Sequence, residues 1–361
     1  MSSALRTSIC DRFGLDVPIF GFAHSVAVAA AISRAGGVGI YGATRETPDE
    51  IRTGLAELRR RAGNRPIGVD LVLPRGMPDL DNRDLIEAEI GEGHRAFVRD
   101  LYQRFDVPPP SGPGMRSRFV RSNEMAALQI QAVLDSDVDF FACGIGAPPE
   151  AIAEAKARGK TTVALVGAPQ HARAALKAGV EMLVAQGYDA GAHTGQIGTF
   201  SLVPQIVDIA GDVPVLAAGG VATGRHVAAS LALGAAGVWV GTAWLMTREH
   251  AIKPQILAKL IAAGSADAVI SRADSGKTLR QVRSAWSDAW AAPDAPKALK
   301  MPYQDILVGD LLGAIDEHEI EKLMHVPCGQ SIAYFDRLTT VAEVMEALTS
   351  GAEAQLRKLH R

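Results

Sequence analysis

The sequence predicts a closed parallel (β/α)8 barrel of the TIM type, with an insertion after the third strand and a helical cap after the eighth. Three observations predict it. Eight short apolar runs recur along the chain, amphipathic helical stretches separate most of them, and the last three runs each lead into a glycine-containing turn. A barrel of roughly 250 residues with insertions takes up a chain of 361 residues as one folding unit.

The apolar runs fall at 17–22, 37–41, 66–71, 138–143, 161–165, 182–186, 213–217 and 237–241, and read as strands. Helical candidates at 25–35, 48–61, 149–158, 169–178, 201–209 and 224–233 carry apolar residues at helical spacing. Two stretches break the repeat. The first, at about 74–137, holds a charged helical pattern near 84–105 and a Pro-rich loop at 108–114 that no helix crosses. The second contains helix-compatible pieces at 252–263, 278–291 and 315–324, and a last helix is expected near 341–358. The expected organisation is a barrel over 1–246 with its insertion at about 74–137, a helical cap over 247–328, and a segment 329–361 that returns to the barrel.

Composition narrows the function classes. Apolar content of 48%, charged content of 21% and a net charge of −3 describe an ordinary globular protein and give no footprint for nucleic acid. Cys10, Cys143 and Cys328 are far apart and lack metal-like spacing, so neither a disulfide framework nor a metal site is expected. The first sixteen residues already contain Arg6, Asp11, Arg12 and Asp16, which does not fit a signal peptide. No uncharged run approaches the roughly 18 residues of a membrane span. A cytoplasmic location and no membrane partner are expected.

Barrels of this kind carry their chemistry on the loops that follow the strands, commonly with a phosphate site after strands seven and eight. Gly219, Gly220 and Gly224 follow the seventh run, and Gly241-Thr242 ends the eighth. Glycine lets backbone N–H groups approach an anion closely, which points to a phosphate-bearing cofactor; loop glycines needed only for positive φ are the alternative. His193 lies in the small-residue run Ala190-Gly191-Ala192-His193-Thr194-Gly195 after the sixth strand. It is read as a site residue that takes a proton from carbon or bonds a developing anion, against a plain loop histidine. Asp70 closes the third strand and faces the barrel mouth, and His24 follows the first. Asp189 is read as a turn former or as an acceptor for His193 or a loop amide. His94, His171, His226, His250, His318, His325 and His360 are expected at the surface, and Trp239, Trp244, Trp286 and Trp290 in barrel-wall or cap packing.

With these motifs the chain resembles the nitronate monooxygenases, also called 2-nitropropane dioxygenases, and the related FMN-dependent enoyl-acyl-carrier-protein reductases. The resemblance rests on the run from Gln186 to Gly195, then Leu202-Val203-Pro204-Gln205, Ala217-Ala218-Gly219-Gly220, and Val240-Gly241-Thr242, with weaker matches at strands one to three and at Gly329-Gln330. It implies a TIM barrel with non-covalent FMN, a small-molecule substrate, and dioxygen or NAD(P)H as redox partner. Carried over position by position, it implies cofactor contacts at Phe22, Ala23, His24, Asp70, Gln186, Gly191, Gly219, Gly220, Trp239, Val240, Gly241 and Thr242. His193 matches the catalytic histidine. Ala192 stands where a glycine is usual, Asp189 replaces a glutamate, Asp70 replaces an asparagine, and Gly21-Phe22-Ala23-His24 replaces an Ala-Pro-Met ending.

The function expected first is FMN-dependent oxidation of a nitronate or related carbanion-forming substrate by dioxygen. A second expectation is an FMN-dependent NAD(P)H reductase of an enone, enoyl thioester or quinone. A third, from another class, is a non-redox or catalytically silent phosphate-ligand barrel.

Overall fold

The computed structural model describes residues 5–359, so the first four residues of the N-terminal reading, and His360, lie outside it. Eight parallel strands, Ile19–Ala23, Val38–Gly42, Ile67–Val72, Phe140–Gly144, Thr161–Val166, Met182–Gln186, Val215–Ala218 and Gly237–Val240, close a barrel in that order. Closure is direct, because the eighth strand pairs with the first at Ile19 and Val238. The expected TIM barrel is therefore the observed one.

Local chemistry sets the helices between them. Helix Pro48–Ala62 begins with a capping box between Thr47 and Glu50, has Pro at its start and Asp49 and Glu50 in its first turn, and collects Arg59, Arg60 and Arg61 in its last. Each feature satisfies orphan amides or complements the helix dipole. Its inward face, Ile51, Leu55 and Leu58, is fully buried against the barrel wall. The barrel interior is filled by Phe20, Phe140, Met182, Val184, Leu216 and Trp239.

Three expectations need correction. Residues Asn123–Leu134, read as part of the insertion, form the third barrel helix. Gln129 hides this helix in the sequence: it sits on the buried face because its amide donates to the carbonyls of Thr44 and Glu46. The charged pattern near 84–105 is two helices, Arg83–Glu89 and Glu92–Arg104, broken at the extended Ile90 and Gly91.

The cap is the third correction, because it is not all helical. A hairpin of Ala268–Ser271 and Leu279–Val282 joins Ala192–His193 in a three-stranded antiparallel sheet, with Leu279 opposite His193. All four residues of Leu279–Val282 are buried, so the strand shows no alternation and reads equally well as helix. Only Ala285–Ala291 of the 278–291 piece is helical, and the last cap helix runs Tyr303–Glu317 rather than over 315–324. The two excursions pack on each other: Gly114 lies against Gly309, and the Ser111 amide donates to Glu317 at 2.9 Å. The final helix, Val341–Leu359, returns to the barrel and packs on helix Gly224–Ala232. Among the described residues, no helix is long and apolar enough to cross a membrane.

Candidate functional site

A half-exposed cradle lies after the seventh and eighth barrel strands. Gly219 and Gly220 adopt φ of 95° and 78°, a region closed to most side chains, and a β-carbon added at Gly241 would meet nothing within 4 Å. Thr242 accepts a hydrogen bond from the Gly329 amide at 2.8 Å through its hydroxyl oxygen, which leaves the hydroxyl proton free to donate. Gly224 has a different reason to be glycine, since a β-carbon there would sit 2.1 Å from the backbone nitrogen of Ala352 in the final helix. Gly191 likewise makes room for the backbone of Cys328 and Gly329. The Gly329-Gln330 pair is thus a clamp: the Gln330 amide donates to the Asp189 carbonyl at 3.0 Å. Asp189 uses its carboxylate to cap helix Thr199–Ala210, accepting from the Thr199 amide at 3.0 Å.

Around the rest of the mouth, Phe22 stacks over Trp239 with ring centres 6.1 Å apart, and His24 Nδ1 lies 2.7 Å from the Gly42 carbonyl. Burial lowers the His24 pKa, and the nearby Arg45 and Arg116 push the same way. The side chains of Ala23, Trp239 and Val240 are buried in the barrel and its surround. Asp70 is 4% exposed and its Oδ2 has no partner. Burial raises its pKa to about 7. An orphaned buried acceptor facing the mouth, with a glycine cradle on the other side, fits a ligand that offers a donor at one end and an anion at the other.

His193 is fixed by three contacts. Its backbone pairs with Leu279, its carbonyl accepts from Gln186 Nε2 at 2.6 Å, and its Nε2 lies 2.9 Å from the Ser275 hydroxyl. Ala192 before it adopts φ of 57°, which explains a glycine preference there; an L side chain in that region costs about 1–2 kcal/mol. The His193 pKa is pushed down to about 3, first by burial and then by Arg121, Arg116 and Arg45. At neutral pH the imidazole is therefore uncharged.

Those arginines belong to a charged network that the sequence reading missed. Arg45 bonds Asp305 at 2.7 Å, and Arg116 reaches Asp274 at 3.0 Å and Asp305 at 3.5 Å. Asp274 also accepts from Trp286 Nε1 at 2.9 Å and lies 3.2 Å from His325 Nε2. Burial disfavours charge on both Asp274 and His325, but each holds the other ionised: the acid falls below its usual range and the imidazole rises above its own. His325, expected at the surface, has a side chain only 7% exposed, and Trp286 is a hydrogen-bond donor as well as cap packing. His226 is also not a plain surface residue, since it closes a capping box with Thr223. The network joins the loop after strand two, the first excursion and the cap, which no local pattern in the sequence could connect. Among the described residues, no cluster of metal-ligating side chains is present.

Comparison with known proteins follows the same lines. The Nitronate monooxygenase family profile matches residues 7–351. A Mycobacterium tuberculosis protein that carries the name Putative monooxygenase is 41% identical over 319 residues, covering 85% of this chain and 84% of its own length. The nitroalkane oxidase of Streptomyces ansochromogenes superposes with a TM-score of 0.80 at 27% identity, over 98% of this chain and 99% of the other. FabK of Thermotoga maritima gives 0.75 at 26%, over 99% of both chains.

Proposed function

The chain belongs to the nitronate monooxygenase family of FMN-dependent oxidoreductases, and on that premise we propose that it oxidises a nitronate or a related carbanion-forming substrate with dioxygen. FMN, when bound, supplies the electron transfer between substrate and oxygen. Gly219, Gly220, Gly241 and Thr242 would hold its phosphate by backbone amides and one hydroxyl. Gln186, Gly191, Asp70 and the Phe22–His24 end of strand one would border the rest, with Ala23, Trp239 and Val240 contributing backbone.

The observation that carries the reading is His193. Its Nε2 lies against the Ser275 hydroxyl and its Nδ1 makes no hydrogen bond among the described residues; in the tautomer that donates Nε2–H to Ser275, Nδ1 is left to take a proton from the substrate carbon. Such a base is needed for a neutral nitroalkane and less so for a preformed nitronate. The insertion and the cap border the substrate, since both rise from the strand-end face and meet over His193.

A second reading, reduction of an enone, enoyl thioester or quinone by NAD(P)H, is supported by the likeness to FabK over nearly the whole chain. Anaerobic mixing decides between them. Bleaching of the bound flavin near about 450 nm by a nitronate, and not by NADH or NADPH, is expected. Bleaching by a reduced nicotinamide alone would replace the first reading with the second, and a colourless protein would sink both.

A further inference from the structure

Three buried groups of the cap meet one residue away from the support of His193. The Asp274 carboxylate, 2% exposed, accepts from Trp286 Nε1 at 2.9 Å through Oδ1 and from Arg116 at 3.0 Å through Oδ2. The same Oδ2 lies 3.2 Å from His325 Nε2, and on the other edge of that ring Nδ1 lies 2.9 Å from the Leu323 carbonyl. A carbonyl can only accept, and so can a carboxylate paired with an arginine. Both ring nitrogens of His325 therefore carry hydrogen, and the ring is an imidazolium. Trp286 stacks on it, with ring planes 3° apart and centres 6.0 Å apart. Burial opposes the charge, Asp274 restores it, and Arg116 works against it; Asp316 is the further carboxylate that senses it.

A buried ion pair gains little net stability over apolar packing of the same volume, so stability alone does not account for this one. Its place in the chain does. Asp274 immediately precedes Ser275, whose hydroxyl lies 2.9 Å from His193 Nε2. The flanking backbone is tied as well: Gln304 Nε2 donates to the Ala273 carbonyl at 2.6 Å, and the Gly276 amide donates to the Arg272 carbonyl at 2.9 Å. Between these ties the position of Ser275 follows that of Asp274, which its three donors set.

We propose that His325 is a positioning residue of the His193 site: with Trp286 and Arg116 it clamps Asp274, and through Asp274 it fixes the Ser275 hydroxyl against the His193 ring. This rests on the proton-accepting role given to His193 above, and adds the buried charge that holds the ring in place.

Histidine-selective nitrogen-15 spectra of the FMN-loaded protein, together with rates on a neutral nitroalkane, test this. At about pH 7.5, where a free imidazole is neutral, His325 should show two protonated nitrogens. His325→Gln should move the His193 ring resonances and lower kcat roughly 10–100-fold, with KM changed less than about threefold. In a Ser275→Ala background the same substitution should cost less than about twofold more, because the route to His193 is already cut. A His325 ring nitrogen without hydrogen, His193 resonances unmoved by His325→Gln, or equal losses in the parent and Ser275→Ala backgrounds would overturn the proposal. Should His325→Gln not fold, Trp286→Phe, which keeps the stacking and removes the donor to Asp274, takes its place in the double-mutant cycle with the same expected signs. The spectra need no turnover, so failure of nitroalkane oxidation is seen separately.

Discussion

His193 Nε2 lies 2.9 Å from the hydroxyl of Ser275, a residue 82 positions further along the chain in the turn of the cap hairpin. The hairpin strand that follows Ser275 pairs with the backbone of His193 itself, so one element sets both the ring and its main chain. Such a support fixes the orientation of the ring.

Replacing the imidazole therefore tests function without disturbing the fold. His193→Asn should purify with full flavin and lose roughly 10²–10⁴-fold in kcat/KM, with the larger loss on a neutral nitroalkane than on its nitronate. Steady-state rates on the two forms check this, and equal rates for variant and parent would reduce His193 to a structural residue.

Two buried titratable groups of the mouth, His193 and Asp70, should give the flavin-free protein opposite pH dependences. His193 has a folded pKa near 3, below the ordinary 6.5, so its contribution is complete above about pH 6.5 and is lost as pH falls towards about 3. Asp70 has a folded pKa near 7, above the ordinary 3.8, so its contribution is complete below about pH 3.8 and is lost as pH rises through about 7. Asp70→Asn should accordingly stabilise the flavin-free protein at pH 8 by roughly 1–3 kcal/mol and have little effect near pH 4. Urea unfolding at the two pH values measures it.

Gly220→Val should empty the flavin site. The residue's φ of 78° is closed to a β-branched side chain, and its amide is one of those proposed to hold the phosphate. The ratio of flavin to protein absorbance should collapse while the circular dichroism spectrum stays that of the barrel. A variant that purified yellow at full occupancy would place the phosphate elsewhere.

Asp305→Asn removes one of the two carboxylates that answer Arg45, Arg116 and Arg121. Leaving those buried charges opposed by Asp274 alone should cost about 3–5 kcal/mol of folding stability. The exposed pair Arg52–Asp49, with the aspartate 94% exposed, is the control and should change stability by less than about 0.5 kcal/mol when broken. Denaturant midpoints at constant slope compare the two.

The sequence by itself determined the barrel, because strand and helix periodicity, caps and turn glycines are local and repeat eight times. It also marked the loops at Gly219-Gly220, Gly241-Thr242 and His193, whose residue types are unusual for packing. It misread what depends on partners far away in the chain. Residues 123–134 read as part of the insertion, whereas they form a barrel helix whose buried Gln129 is met by the carbonyls of Thr44 and Glu46, and Leu279–Val282 looked helical until pairing made it a strand. Gly224 looked like a phosphate glycine until the final helix was seen to pass against it. Only the tertiary structure brought Arg45, Arg116, Arg121, Asp274, Asp305 and His325 together around His193. Each is an ordinary charged residue in its own segment, and a field felt at one atom comes from all the charges that folding sets around it, which no spacing along the chain records.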